Sequence, residues 1–258
     1  FEKKPEFAGK AWADRASHLG PGQDSETRPW HEGRPSNPAK SLIKDLRGGW
    51  YDAGDFNKYT SWAARYIVTL LQAYEEHPQA FSDDYGIPES GNGIPDILDE
   101  VKWGLDWLVR MQNPDGSVLC VQGLASASPP SGARGNSYYG PPTTSATLMG
   151  AAAFAYASKF FASRPEPNLK GYGDDLKKRA TAAWTWATAN PNVLYYNNDN
   201  SKQPGSMGLA AGQQEMEAER RVSHAGLEEQ HAQARDRVDR RKAKEQRAEE
   251  ADDRHHQQ

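Results

Sequence analysis

The sequence predicts an all-α fold, a series of helices joined by long loops, and three observations carry that prediction. Four segments repeat apolar residues at the 3.6-residue period of one helix face, and the stretches between them are crowded with Gly, Pro and Asp. No segment alternates apolar and polar residues in the manner of a half-buried strand. Helices that bury one face each and follow one another as hairpins can close into a ring of inner and outer helices.

Residues 1 to about 47 hold many breakers, among them Pro5, Gly9, Gly20, Pro21, Pro29 and Pro38, and read as ordered loop with one short helix around Ala11 to His18. Trp12, Trp30, His18 and His31 either line a groove or anchor the loop from beneath. His31 has no Cys or His partner at metal spacing, so a zinc site there is not expected.

A dense patch follows, Gly48-Gly49-Trp50-Tyr51-Asp52-Ala53-Gly54-Asp55-Phe56-Asn57-Lys58-Tyr59. Two carboxylates three residues apart would repel each other in a core and suit a cleft. Aromatic rings stack on sugar faces, while one carboxylate orients a water and another withdraws its proton. The plainer alternative is an Asx-turn leading into the next helix.

That helix starts near Ser61, and Ala63, Tyr66, Ile67, Leu70, Leu71 and Tyr74 form its apolar stripe up to His77-Pro78. It braces the acidic patch from behind. Phe81 to Gly93 reads as loop until Pro95 takes a first-turn position, with Asp96, Asp99 and Glu100 where the helix dipole favours negative charge, a structural placement preferred over the catalytic or calcium reading that three acids invite. Ile97, Val101, Leu105 and Leu108 mark the second helix, Trp103 and Trp107 are assigned to core packing, and Asn113-Pro114-Asp115-Gly116 is a turn.

Ser117 to Thr144 reads as a long ordered connection, and loops of that length tend to be functional. Tyr138 and Tyr139 are candidates there for sugar stacking, with simple packing as the alternative. A third helix carries Leu148, Ala151, Ala152 and Ala155 on one side, its alanines implying a close neighbour. The fourth, about Asp174 to Ala189, has the stripe Leu176, Ala180, Ala183, Trp184 and Ala187.

Composition divides the chain of 258 residues. All eight Trp and every other aromatic precede Gly212, whereas 213–258 is mostly Glu, Arg, Ala, Gln, Asp and His, a helical or disordered charged tail. The expected domains are therefore 1–212 and 213–258. A net charge of -4 and a pI near 6.0 argue against nucleic acid as a partner. No apolar run approaches the roughly 20 residues that cross a bilayer, so no membrane partner is expected. Cys120 is the single cysteine and excludes an internal disulfide.

The patch from Gly48 to Tyr59 resembles the catalytic-base signature of glycoside hydrolase family 9, the inverting endoglucanases and related cellulases. The run Ile87-Pro88-Glu89-Ser90-Gly91-Asn92-Gly93-Ile94-Pro95-Asp96-Ile97-Leu98-Asp99-Glu100, continuing through Trp103 to Met111-Gln112, is similar to a second block of that family. The resemblance implies an (α/α)6 barrel, here incomplete: residues 1 to about 216 correspond to roughly its first half, and the likeness lapses after Ala210-Ala211-Gly212-Gln213-Gln214-Glu215-Met216. The abrupt change there reads as a shifted frame or a spliced end.

By the same resemblance the activity is inverting hydrolysis of β-1,4-glucan, cellulose or cello-oligosaccharide. Asp55 is the base, Asp52 holds the water, and Trp50, Tyr51, Tyr138 and Tyr139 bind substrate. The family's acid, a late glutamate, has no counterpart here, so weak or absent turnover is expected. No cofactor is required, and a structural calcium is left without assigned ligands. Exposed helix faces predict self-association, and the family places the protein outside the cell or in the periplasm, with the leader absent from this chain. A non-catalytic carbohydrate-binding protein, and an interaction protein working through its tail, are the alternatives.

Overall fold

The computed structural model describes residues 23–30, 39–123, 135–162, 164–196 and 204. The chain divides into Phe1–Ala211 and Gly212–Gln258. The predicted tail lies outside the described residues, as do Trp12, His18, His31 and the short helix expected around them.

Four long helices carry the fold: α1 (Thr60–Glu76), α2 (Asp96–Met111), α3 (Thr144–Phe161) and α4 (Tyr172–Ala189). The first begins and stops within one residue of the sequence expectation. Its buried residues Ala63, Ala64, Ile67 and Leu71 are flanked by half-buried Leu70 and Tyr74, the stripe that periodicity predicts. In α2, Ile97, Val101, Leu105 and Leu108 are all buried. Pro95 sits one position earlier than predicted, as the N-cap, where its missing N–H costs nothing. The turn Asn113–Gly116 closes by a 2.9 Å bond from the Gly116 N–H to the Asn113 carbonyl, as its sequence foretells.

The faces of α3 and α4 depart from expectation. In α3 the buried face runs through Thr147, Gly150, Ala151, Phe154, Ala157 and Phe161, so Leu148 and Ala152 are half-buried and Ala155 is exposed. Alanine occurs all round this helix and cannot mark a face; the two Phe and the glycine do. In α4, Leu176, Ala180, Ala183 and Ala187 are buried, but Trp184 is 51% exposed. An indole is too bulky for the close approach that three alanines permit.

α1 packs against both α2 and α3, and α3 against α4, so the α1–α2 and α3–α4 hairpins meet along α1 and α3. One continuous core joins all four helices. Thr143 caps α3, its hydroxyl accepting the Ala146 N–H at 3.2 Å.

A small sheet escaped the sequence reading. Strands β1 (Arg28–Pro29), β2 (Asn57–Tyr59), β3 (Val121–Gly123) and β4 (Tyr138–Tyr139) align in the order β1-β4-β3-β2. β1 runs parallel to β4, the other pairs are antiparallel, and Tyr59 faces Val121 while Gln122 faces Tyr139. Two or three residues cannot display a period of two. The predicted connection from Ser117 to Thr144 thus contains two strands, and its Ser126 to Pro130 portion lies outside the described residues. The sheet gathers the N-terminal segment, the acidic patch and the Tyr138 segment at the N-terminal end of α1.

Candidate active site

The loop from Gly48 to Lys58 is seated on α2. Gly48 and Gly49 both adopt positive φ, 103° and 71°, a backbone path open to glycine and strained for other residues. The turn lays Gly49 flat on the Trp107 indole, so close that a β-carbon there would stand 2.7 Å from the ring. Trp107 is fully buried and donates its Nε1–H to Gln122 Oε1 at 2.8 Å. Trp103, expected in the core beside it, is instead 41% exposed, and its Nε1–H reaches out to the Gly49 carbonyl at 3.1 Å. Four residues along a helix is about 400°, so these two rings diverge by some 40°, enough for one to enter the core and the other to flank the loop.

Trp50 is half-buried, its Nε1–H on Glu100 Oε1 at 2.6 Å and its ring pressed against Gly104. Glu100, assigned from the sequence to the helix dipole in preference to a catalytic or calcium role, is therefore also a partner of the loop. Tyr51 leans on Phe56 with ring centroids 5.2 Å apart. The aspartates follow at the exposed tip. The Asp52 N–H donates to the Asn57 carbonyl at 3.0 Å, and the Asn57 N–H donates to Asp55 Oδ1 at 3.1 Å. Both carboxyls are half-buried, flanking exposed Ala53 and Gly54.

Burial, reinforced by the charge and hydrogen bond of the adjacent Asp55, pushes the Asp52 carboxyl up to about 6. Among the described residues, Asp52 Oδ1 is buried with no hydrogen-bond partner. The Asn57 bond to Asp55 is the turn contact of the plainer reading, and it coexists with a strongly perturbed neighbouring acid. A cavity of about 490 Å³ opens beside the loop, walled by Arg47, Gly48 to Tyr51 and Trp103. Gln23 and Asp24 complete its lining, which includes Trp50 and Tyr51 but neither Asp52 nor Asp55.

Tyr139 is 8% exposed, and its hydroxyl donates to the Leu42 carbonyl at 2.7 Å. Tyr138 is half-buried and meets Trp30 edge-on at 5.3 Å. Trp30 itself is buried, as an anchor would be. The structure thus joins Trp50, Tyr51, Asp52 and Asp55 in one loop and sets the two tyrosines two strands away from it.

Three features were missed by sequence reasoning. Lys58 is buried in an ion pair with Asp24, and nothing in the pattern distinguishes it from a surface lysine. Trp103 borders the cavity. Asp83, Asp96 and Asp99 bring one oxygen each within 4.8 Å of one another. Asp96 and Asp99 are in the first turn of α2 as predicted, but both are buried. Asp96 Oδ2 accepts the Tyr85 N–H at 2.6 Å and the Ser90 hydroxyl at 2.7 Å, leaving its Oδ1 buried without a hydrogen-bond partner among the described residues. Asp83 accepts the Gly91 and Gly93 N–H groups, each at 2.7 Å. Burial pushes the Asp99 carboxyl up to about 6, against a hydrogen bond from Asn92.

The family model for glycosyl hydrolase family 9 matches residues 3–218. The chain is 33% identical over 184 residues to a xyloglucan-specific endo-beta-1,4-glucanase of Bacteroides ovatus, spanning 69% of this chain and 31% of that protein. It is 29% identical over 225 residues to a cellulose 1,4-beta-cellobiosidase of Acetivibrio thermocellus, spanning 78% and 25%. Among solved structures, the family 9 protein of Bacteroides ovatus aligns with a TM-score of 0.64 and 32% identity over 80% of this chain and 38% of its own. A metagenome-derived family 9 endoglucanase aligns with a TM-score of 0.61 and 34% identity over 74% and 34%. The chain thus spans between a quarter and two fifths of the length of these relatives, and its four helices are part of the (α/α)6 barrel that they share. By motif, by matched span and by fold, this chain belongs to glycosyl hydrolase family 9.

Proposed function

We propose that the chain carries the base side of an inverting glycoside hydrolase acting on β-1,4-glucan. Asp55 withdraws a proton from the attacking water, Asp52 orients that water, and Trp50 and Tyr51 contact the sugar, with Tyr138 and Tyr139 contributing farther out. The observation that carries this reading is the crowding of two carboxyls in one exposed loop, with Asp52 pushed up to about 6. An acid so placed gives water a partner on each side, one oxygen to accept and one to orient.

Residues 1–258 alone are expected to turn over weakly, because the family's acid falls in the part of the relatives that this chain does not span. Reducing-sugar release from carboxymethyl cellulose tests the assignment. Slow release that vanishes in Asp55→Ala is expected; release that survives Asp55→Ala would remove Asp55 from the role of base, and release at the rate of a full-length relative would overturn the expected impairment.

A carbohydrate-binding role without turnover is favoured by one observation, the cavity that includes Trp50 and Tyr51 but neither Asp52 nor Asp55. Calorimetric titration with cellohexaose reads it: binding retained in Asp55→Ala and lost in Trp50→Ala supports it.

A structural calcium fits Asp83, Asp96 and Asp99. Hard cations take carboxylate oxygens, and the buried, unpartnered Asp96 Oδ1 is an oxygen in want of one. The ion would neutralise three crowded acids and fix the loop ahead of α2, with no step of the reaction passing through it. A polymeric substrate and the family favour a location outside the cell or in the periplasm. No helix among the described residues is long and apolar enough to cross a membrane.

A further inference from the structure

We propose that Lys58 is a positioning residue for the two aspartates: its buried ammonium clasps Asp24 and the Gly48 carbonyl, and so cinches the Gly48–Lys58 loop at its base. The proposal rests on reading Asp52 and Asp55 as the paired acids of the site.

The geometry is a closed ring of contacts. Lys58 Nζ donates to Asp24 Oδ2 at 2.8 Å and to the Gly48 carbonyl at 2.7 Å, and its side chain is 2% exposed. Lys58 and Gly48 are the two ends of the loop whose tip carries Asp52 and Asp55. Inside that clasp, the Asp52 N–H bond to the Asn57 carbonyl closes a smaller ring. Asp24 is itself fixed: the Ser137 hydroxyl donates to Asp24 Oδ1, and the Leu46 N–H donates to the Asp24 carbonyl at 2.9 Å. One ammonium therefore ties the β1 side of the sheet, the entry of the loop and its exit.

Energetics favour a positioning role over a stabilising one. Burial pulls the Lys58 ammonium below its ordinary value, with Asp24 opposing that pull. A pair buried this completely recovers little more than its desolvation cost, so an apolar pair of similar volume would hold the core as well. An apolar pair cannot grip the Gly48 carbonyl. Gly48 lies in the double positive-φ turn, outside every helix and strand of the described residues, and its part-buried carbonyl accepts from Lys58 Nζ.

Lys58→Met alone leaves Asp24 charged and uncompensated, so the informative variant is Lys58→Met with Asp24→Asn, since asparagine tolerates the φ of 61° at residue 24. Amide hydrogen exchange on the full chain reads the outcome. Exchange at Asp52 and Asn57 is expected to quicken about tenfold or more while Ile67 and Leu71 of α1 stay within about twofold of the wild type. Wild-type rates at Asp52 and Asn57, equal acceleration at all four, or failure of the double variant to fold would each assign the pair to the core and overturn the proposal. Exchange needs no substrate. Failure of the glucan reading would instead show as absent binding and turnover in the wild-type chain, with its loop still protected.

Discussion

Trp50 and Glu100 meet across fifty residues of sequence, indole N–H to carboxylate at 2.6 Å, with the Trp50 ring lying over Gly104 one turn farther along α2. The loop bearing the aspartates is therefore docked by an aromatic plate onto a helix that has been hollowed to receive it. Gly104→Ala would drive a β-carbon into the ring. Helix propensity favours alanine by about 1 kcal/mol, whereas overpacking against a ring tethered through its N–H to Glu100 costs about 1–3 kcal/mol. A β-carbon 2.2 Å from the ring puts the clash at the upper end of that range, and urea unfolding is expected to show a net loss of about 1–2 kcal/mol, with glucan binding weakened alongside.

Asp52 and Asp99 both carry raised carboxyls, and the share of Asp52 in the pH response of stability can be separated by substitution. An ordinary aspartate releases its proton near 3.8, and burial with Asp55 nearby holds the folded value at about 6. Between these values the folded chain keeps a proton that the unfolded chain has lost, so this group favours folding below about 4 and its contribution disappears as pH rises through 6. Melting temperatures of wild type and Asp52→Asn measured from pH 4 to 7 check the sign. The fall across that interval is expected to be shallower in the variant.

Calcium gives a separate handle on the loop before α2. If Asp83, Asp96 and Asp99 hold the ion, calcium at about a hundredfold over its dissociation constant adds about 2.7 kcal/mol to the folded state. Thermal unfolding with calcium against chelator is expected to show that shift in the wild type and none in Asp96→Asn. Equal shifts in both would place the ion elsewhere.

Self-association is predicted from Trp184 on α4 and Val193, Leu194 and Tyr196 just beyond its end, all of them exposed. Sedimentation is expected to show concentration-dependent assembly that Trp184→Glu reduces. Assembly unchanged by that substitution would move the contact to another face.

Where side chains differ strongly in size along a helix, the fold was legible in the sequence. The stripes of α1 and α2 mix Ile, Leu and Val with polar residues, and the structure buries the α2 stripe and buries or half-buries that of α1, with Tyr66, Leu70 and Tyr74 at its margin. α3 offers mainly alanine, and its face was misplaced by part of a turn. The strands were illegible because Arg28–Pro29 and Tyr138–Tyr139 are too short to alternate. The two aspartates could be read from composition and spacing, but their supports could not. Glu100, Asp24 and Lys58 come from distant or unremarkable positions, and only the folded chain shows that they hold one loop.

The flat contact between Gly49 and Trp107 constrains how this protein can be redesigned. A larger residue at 49 meets both an adverse backbone angle and the indole, and a smaller residue at 107 opens a void and takes the donor from the Gln122 side-chain oxygen. Neither codon can change alone without penalty, so a library that samples single substitutions will find both positions closed. Diversifying 49, 107 and 122 together is the route by which this loop acquires a new shape.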